Sequence, residues 1–349
     1  MDKCTKLVEY LVNWYPDHAR DLPWRKDTEP YHVWISEIML QQTRVEAVKE
    51  YYKRFLKALP TIDALASVED DYLLKLWEGL GYYNRARNLK KAAVAIVGDR
   101  NGAFPDTYEE ILSLAGIGEY TAGAIGSICF DLPTPAVDGN VLRVYTRVME
   151  EASNIDKQAT KKKIREQLAK LYSKGQCGIL TQSLMELGAT VCLANGTPKC
   201  GECPLRTLCG AKEHDTWRQY PVRDGKKSRK REDKTVFVLR CRDRIAVRKR
   251  AGKGLLAGMW EFPNVEGILI EQQAADAASQ WNTAPERMHR KLTYTHVFSH
   301  VEWRMTAYYL VCGQMCERFR WVTMEELEHE VAMPSAFRPF LDTLSHNAE

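Results

Sequence analysis

Two groups of side chains stand out by type and spacing. In CLANGTPKCGECPLRTLC (192–209), four cysteines are separated by seven, two and five residues. Thiols this close share a metal more readily than they form disulfides in a reducing compartment. One Cys-x-x-Cys pair with single cysteines outside it is compatible with zinc, and four thiolates in a compact loop also suit an iron–sulfur cube, so spacing leaves both metals open. The second group is a pair of carboxylates. Glu37, in HVWISEIMLQQTR, has Val33, Trp34, Leu40 and Gln41 three and four positions away on a helix. A carboxyl on such an apolar stripe should keep its proton above the usual range. Asp138, in PTPAVDGNVLRVYTRV, falls at or just before a helix that runs from about Val141. The helix dipole there favours an ionised carboxylate, and an N-cap role is its plainer reading. One acid held protonated and one held ionised is what acid–base chemistry requires.

The elements that must position these groups are mostly helical. Apolar residues recur at three and four across residues 1–220, as in Leu7, Val8, Leu11, Val12 and in Val33, Trp34, Met39, Leu40. Breaks fall at Pro16, Pro60, Gly79 with Gly81, Pro105, Gly116 with Gly118, and Pro133 with Pro135, which predicts helices of roughly 8–18 residues. In LAGIGEYTAGAI (114–125), Gly116 and Gly118 bracket a tight turn between two helices. The free N–H groups of the second helix would face outward, ready for a phosphate, as in a helix–hairpin–helix. From residue 235 the period changes. TVFVLR, RIAVRKR and VEWRMTAYYLVC alternate like strands, and 271–281, 323–329 and 335–345 read as helices, giving an α+β half.

At 349 residues the chain is long enough for two cores. Its N-terminus is polar and mixed in charge, without an apolar signal core, and no run approaches the roughly 20 apolar residues of a bilayer span; a cytoplasmic location is the expectation. The net charge is only +4, but RDGKKSRKREDK (223–234) holds seven Lys or Arg against three acids and no large apolar residue. That composition predicts an exposed linker, or a contact with phosphates. The six remaining cysteines, Cys4, Cys129, Cys177, Cys241, Cys312 and Cys316, read as small core residues.

LPWR (22–25), WISEIMLQQTRV (34–45), LWEGLGYYNRARNL (76–89), LAGIGEYTA (114–122), PAVDGNVLRV (135–144) and the cysteine loop together resemble the adenine DNA glycosylases of the MutY type. LLAGMWEFP (255–263) and FSH (298–300) resemble the C-terminal domain of the same family. The first cysteine gap is seven residues here, where the family has six. The resemblance implies a mainly α N-terminal half with a helix–hairpin–helix glycosylase fold, in two helical subdomains, 1–27 with 136–220 and 28–135. A basic linker would cover 221–234 and a Nudix-like α+β domain 235–349. It implies one [4Fe–4S] cluster held by Cys192, Cys200, Cys203 and Cys209, with Lys199 and Arg206 of the intervening loop facing DNA phosphates.

The implied activity is base-excision repair on double-stranded DNA with A:8-oxoguanine or A:G mispairs, by a monomer of the bacterial cytoplasm that needs no membrane. Glu37 would protonate the adenine, Asp138 would stabilise the cationic sugar, and Glu37 would then activate water, a division of labour like that of glycosidases. Tyr120 and Asn140 would orient the carboxyl pair. Arg20, Leu22, Arg25 and Gln182 would line the adenine pocket, while Gln42 and Tyr82 would push into the base stack. Endonuclease III-like relatives carry a Schiff-base lysine where this chain has Tyr120, and a tyrosine cannot form that imine, so a monofunctional enzyme is expected. NVEGILIEQQAADAASQW (264–281) lacks the glutamate-dense core of a working Nudix enzyme, so the second half should bind rather than hydrolyse. Phe298, Ser299 and His300 would form a turn touching 8-oxoguanine. Two other readings are a thymine-specific relative, which should lack the Nudix-like half, and a non-catalytic DNA sensor, against which the presence of both carboxyls argues.

Overall fold

The computed structural model describes residues 3–225 and 228–345. Lys226 and Lys227 of the basic stretch, and the side chain of Cys4, lie outside the described residues. Twelve helices come first: α1 (Lys3–His18), α2 (Pro30–Leu40), α3 (Val45–Ala58), α4 (Ile62–Ser67), α5 (Asp70–Leu76), α6 (Asn84–Arg100), α7 (Tyr108–Ser113), α8 (Glu119–Phe130), α9 (Gly139–Met149), α10 (Gln158–Ala169), α11 (Cys177–Thr190) and α12 (Gly210–Glu213). Then come β1 (Lys230–Cys241), β2 (Arg244–Lys249), β3 (Trp260–Glu261), β4 (Asn264–Glu266), α13 (Glu271–Gln280), β5 (Pro285–Val297), β6 (Val301–Cys312), β7 (Arg320–Val322), α14 (Met324–His329) and α15 (Arg338–Ser345). Several helices are shorter than their spacing of breaks predicts: α4 and α7 have six residues, α5 seven and α12 four. No helix of the described residues is long and apolar enough to cross a membrane.

The chain forms two compact units. The first holds the residues up to Ser67 and those from Asn88 to Gly225; the second holds Val68–Arg87 and the described residues after 227. In the first unit, α1, α9 and α11 share a core of Leu7, Leu11, Val141, Val144, Leu180, Leu184 and Leu187. Three local features of this unit position chemistry. Proline occupies the first turn of α2, where its missing N–H costs nothing. Gly116 turns the chain between α7 and α8 at φ +78°, a conformation that side chains resist, and a Cβ there would also strike Asn88 at 2.5 Å. Gly188 on α11 lets that helix touch the start of α9, since a Cβ would meet Asn140 Cβ at 2.5 Å.

In the second unit a mixed sheet has the order β3-β2-β1-β6-β5, with β4 on β1 and β7 on β2. β1 runs parallel to β6 from Lys230↔Val301 to Arg240↔Val311, and β5 and β6 form an antiparallel hairpin. Both faces are covered, and alternation along β1 divides them. Val236 and Val238 face the core that includes Phe337 and Phe340, while Phe237 and Leu239 face Ala274 and Ala278 of α13.

Three expectations are corrected here. Residues 230–234, read as linker, are strand: their charged side chains stay exposed or half-buried until Lys234, and backbone pairing with β6 orders them. Residues 68–87 belong with the C-terminal unit, where Lys75 Nζ donates to Val331 O at 3.1 Å and the Met333 amide donates to Glu78 Oε1 at 3.2 Å. Among the lone cysteines, Cys177, Cys241 and Cys312 are buried, but Cys129 and Cys316 are only partly so.

Candidate active site

A pocket of about 470 Å³ in the first unit is lined by Arg20, Leu22, Arg25, Glu37, Gln42, Tyr120, Asp138, Asn140 and Gln182, nine residues singled out from the sequence. They come from the α1–α2 connection, the C-terminal half of α2 and the bend after it, the starts of α8 and α9, and the middle of α11. The volume is in the range of small-molecule sites.

Glu37 is 6 % exposed. The Tyr120 hydroxyl donates to its Oε2 at 2.7 Å. Burial pushes the Glu37 carboxyl up to about 7; the Tyr120 bond pulls the other way, and Asp138 adds to the rise. A near-neutral value lets Glu37 both give and take a proton at physiological pH. Burial also drives the Tyr120 hydroxyl well above its usual range, so it keeps its proton and donates it to the bond with Glu37.

Asp138 caps α9: its Oδ1 accepts from the Val141 amide at 2.8 Å and its Oδ2 from Asn140 Nδ2 at 2.8 Å. The expectation that the helix terminus dominates its ionisation is corrected. Burial raises the Asp138 carboxyl, and the bonds from Val141 and Asn140, with Arg143 beyond them, oppose that rise. Two bonded donors still make Asp138 the better-solvated carboxylate of the two, while Glu37 has one.

The sequence reading missed Glu186, which is fully buried on α11. Its Oε1 accepts from Arg20 Nε at 2.6 Å and its Oε2 from Arg25 Nη2 at 2.7 Å. Burial raises its carboxyl, but the two guanidiniums outweigh that and hold it below the usual range. Its place four residues after Gln182 on the same helix face was the available signal. Tyr15 was missed too; its hydroxyl donates to Gln182 Oε1 at 3.0 Å and fixes which way that amide points. Arg143, also missed, is 7 % exposed and donates to Asn140 Oδ1 at 2.9 Å, Gly188 O at 2.6 Å and Cys192 O at 2.7 Å. It ties the amide that holds Asp138 to the start of the cysteine loop.

All four clustered cysteines line one small cavity, so the loop accommodates its seven-residue first gap. Val144, Val148, Leu187, Val191 and Trp217 make the rest of the wall largely apolar, with Arg147, Arg206 and Lys212 as its cations. Arg147 Nη1 donates to Cys192 Sγ at 3.3 Å. Burial raises the thiols of Cys200 and Cys209 and pushes that of Cys203 up to about 12. An all-sulfur donor set around one cavity, with Arg147, Arg206 and Lys212 to balance thiolate charge, is chemistry that suits a bound metal, zinc or an iron–sulfur cluster alike. Lys199 of the same loop pairs with Glu202 at 3.7 Å, and both are half or more exposed.

The remaining predicted residues lie elsewhere. Gly116 and Gly118 form the hairpin before α8. Gln42, exposed in the first unit, and Tyr82, 46 % exposed in the second, both hold left-handed backbone, at φ +58° and +48°. Such strain collects at functional tips. Phe298, Ser299 and His300 turn the β5–β6 hairpin: the Phe298 amide donates to Val301 O at 2.8 Å. The Phe298 ring lies 4.6 Å from His296 and 4.9 Å from Trp303, while Ser299 and His300 are exposed. In the second unit α13 carries only Glu271 and Asp276 as acids.

Comparison with known proteins gives two family models: "HhH-GPD superfamily base excision DNA repair protein" over residues 35–174 and "NUDIX domain" over residues 235–343. The adenine DNA glycosylase of Arabidopsis thaliana is 38 % identical over 317 residues, 79 % of this chain; the chain spans about half, 49 %, of that protein. The adenine DNA glycosylase of Homo sapiens is 32 % identical over 394 residues, covering 94 % of this chain and 72 % of the human one. Among solved structures, a thermostable thymine-DNA glycosylase superposes with a TM-score of 0.55 at 28 % identity, over 61 % of this chain and 97 % of that one.

Proposed function

The chain belongs to the adenine DNA glycosylases of base-excision repair, and on that premise we propose that it removes adenine lying opposite 8-oxoguanine or guanine in duplex DNA and leaves an abasic site. The observation that carries the reading is the pair of carboxyls in one pocket, Glu37 raised to about 7 under the Tyr120 hydroxyl and Asp138 held by two donors. The adenine is swung out of the stack into the pocket. Glu37 transfers its proton to a ring nitrogen of the base, so that the electrons of the breaking N-glycosidic bond leave with a neutral adenine. The sugar carbon becomes cationic, and the Asp138 carboxylate stabilises it. Water adds to that carbon and gives its proton to Glu37, which restores the starting state. General acid–base help of this kind contributes roughly 10²–10⁴-fold.

Tyr120 holds Glu37 and has no amine, which supports hydrolysis without strand cleavage. Arg20 and Arg25, fixed by Glu186, offer fixed cations at the pocket wall. Cys192, Cys200, Cys203 and Cys209 would hold one [4Fe–4S] cluster, which when bound supplies a cross-link that orders their loop. Gln42 and Tyr82 would enter the stack beside the lesion, and the hairpin at Gly116 and Gly118 would hold the DNA backbone without reading its sequence. In the second unit, the acid-poor α13 supports recognition rather than pyrophosphate hydrolysis, with Ser299 and His300 meeting 8-oxoguanine and Phe298 anchoring the turn. By the family resemblance the chain would act as a monomer in the bacterial cytoplasm.

A thymine-specific function is the competing reading. The thymine-DNA glycosylase match accounts for 61 % of this chain while using 97 % of its own length, so more than a third of this chain has no counterpart in it. Single-turnover base release on A:8-oxoguanine, A:G and T:G duplexes tests the proposal. Release of adenine, fastest opposite 8-oxoguanine, is expected; release of thymine instead would overturn it.

A further inference from the structure

The basic stretch after residue 222 finds no use in the chemistry above, yet the structure does not leave it as a plain connector. β1 opens with Lys230, whose amide donates to the carbonyl of His300 at 3.2 Å. In register, Lys230 stands beside Val301 and Arg231 beside Glu302. The basic run therefore reaches the sheet at the end that carries the Phe298–His300 turn.

The cations there are poorly committed. Arg229 is exposed and makes no hydrogen bond or ion pair among the described residues. Among the described residues the Lys230 side chain meets only Glu232, at 3.1 Å, and is 76 % exposed. Arg231 meets Glu302 at 3.4 Å and is 70 % exposed. Glu232 is also engaged by the Trp303 indole N–H at 3.0 Å, and Asp233 by both Nε and Nη2 of Arg304, so the nearby carboxylates have other partners. Exposed pairs of this kind are worth little and yield readily to a stronger anion. A turn that reaches a base edge must also pass the sugar–phosphate chain carrying that base.

We propose that Arg229 and Lys230 form a phosphate clamp beside the Phe298–His300 turn, gripping the DNA backbone next to the base that the turn contacts. The proposal rests on the turn's role as the lesion contact given above, and it adds a sequence-independent grip to it. Each phosphate neutralised releases condensed counterions, so the clamp adds to the salt dependence of binding and not to base discrimination.

The test uses full-length protein with Arg229→Ala and Lys230→Ala together, and a plain duplex without a mispair as the probe. Binding is measured between 50 and 200 mM salt. The slope of log K against log salt should shrink by about 0.9 per lost contact, approaching about 2 for the pair, with a loss of roughly 8-fold per contact at 0.1 M salt. Arg229→Lys with Lys230→Arg keeps the charges and should keep the slope. An unchanged slope in the alanine variant overturns the clamp, as does a changed A:8-oxoguanine over A:G preference with the slope intact. Ser299→Ala with His300→Ala should do the reverse, lowering that preference while leaving the slope. If it leaves the preference intact, the turn's role fails, and the slope measured for Arg229 and Lys230 still decides the clamp.

Discussion

Glu37→Gln separates two consequences of burying an acid. The wild-type carboxyl is raised from an ordinary 4.5 to about 7, chiefly by burial. Between those values the folded protein holds a proton that the unfolded chain has released, so stability falls as pH rises. Below about 4.5 the two states bind the proton alike and no difference remains; above about 7 the whole cost of a buried charge is present. At 1.36 kcal/mol per unit the span is worth about 3 kcal/mol. Glutamine has nearly the same shape, can still accept from the Tyr120 hydroxyl and never ionises. Relative to wild type, Glu37→Gln should therefore gain up to about 3 kcal/mol between pH 5 and pH 8, while base release drops by at least roughly 10²–10⁴-fold. Urea midpoints of both proteins across that pH range, with single-turnover adenine release alongside, measure both effects. Midpoints that run parallel from pH 5 to pH 8 would show that Glu37 is not held protonated by its surroundings. A variant with a near-normal rate would remove it from the role of acid.

Tyr120→Lys places an amine beside the sugar and should create a borohydride-trappable Schiff base with the abasic product; wild-type protein trapping equally well would refute the monofunctional reading. Protein purified anaerobically from iron-replete cells should be brown and carry about four irons, and Cys203→Ser should reduce iron content and DNA binding more than the adenine chemistry; zinc in place of iron would refute the cluster. Ser299→Ala with His300→Ala in the full chain should lower the A:8-oxoguanine over A:G preference within a range of roughly 5–150-fold, the worth of a good base contact; an equal loss on both mispairs would make the second unit a general clamp. Point variants suit this question better than truncation after Gly225, which would strip residues 68–87 of partners such as Val331 and Lys249.

The candidate site residues legible in the sequence were those whose signal is local. Four cysteines within eighteen positions, two glycines between helices, an aspartate at a helix start and a glutamate on an apolar stripe are facts of spacing, because caps, turns and helix faces depend on neighbours within about four residues. Tertiary structure alone decided what those residues meet. Glu186 is matched to Arg20 and Arg25 over more than 160 residues of chain, and Arg143 reaches Cys192 across 49; no periodicity reports a partner so distant. The ionisation of Asp138 turned more on burial, which the approach of other elements creates, than on the helix terminus that the sequence displays. Residues 68–87 look like any helical stretch, and only packing assigns them to the second unit. The charged start of β1 reads as linker by composition and becomes strand because β6 supplies backbone partners for it. Local chemistry is written along the chain, while burial and long-range pairing exist only once the chain has folded.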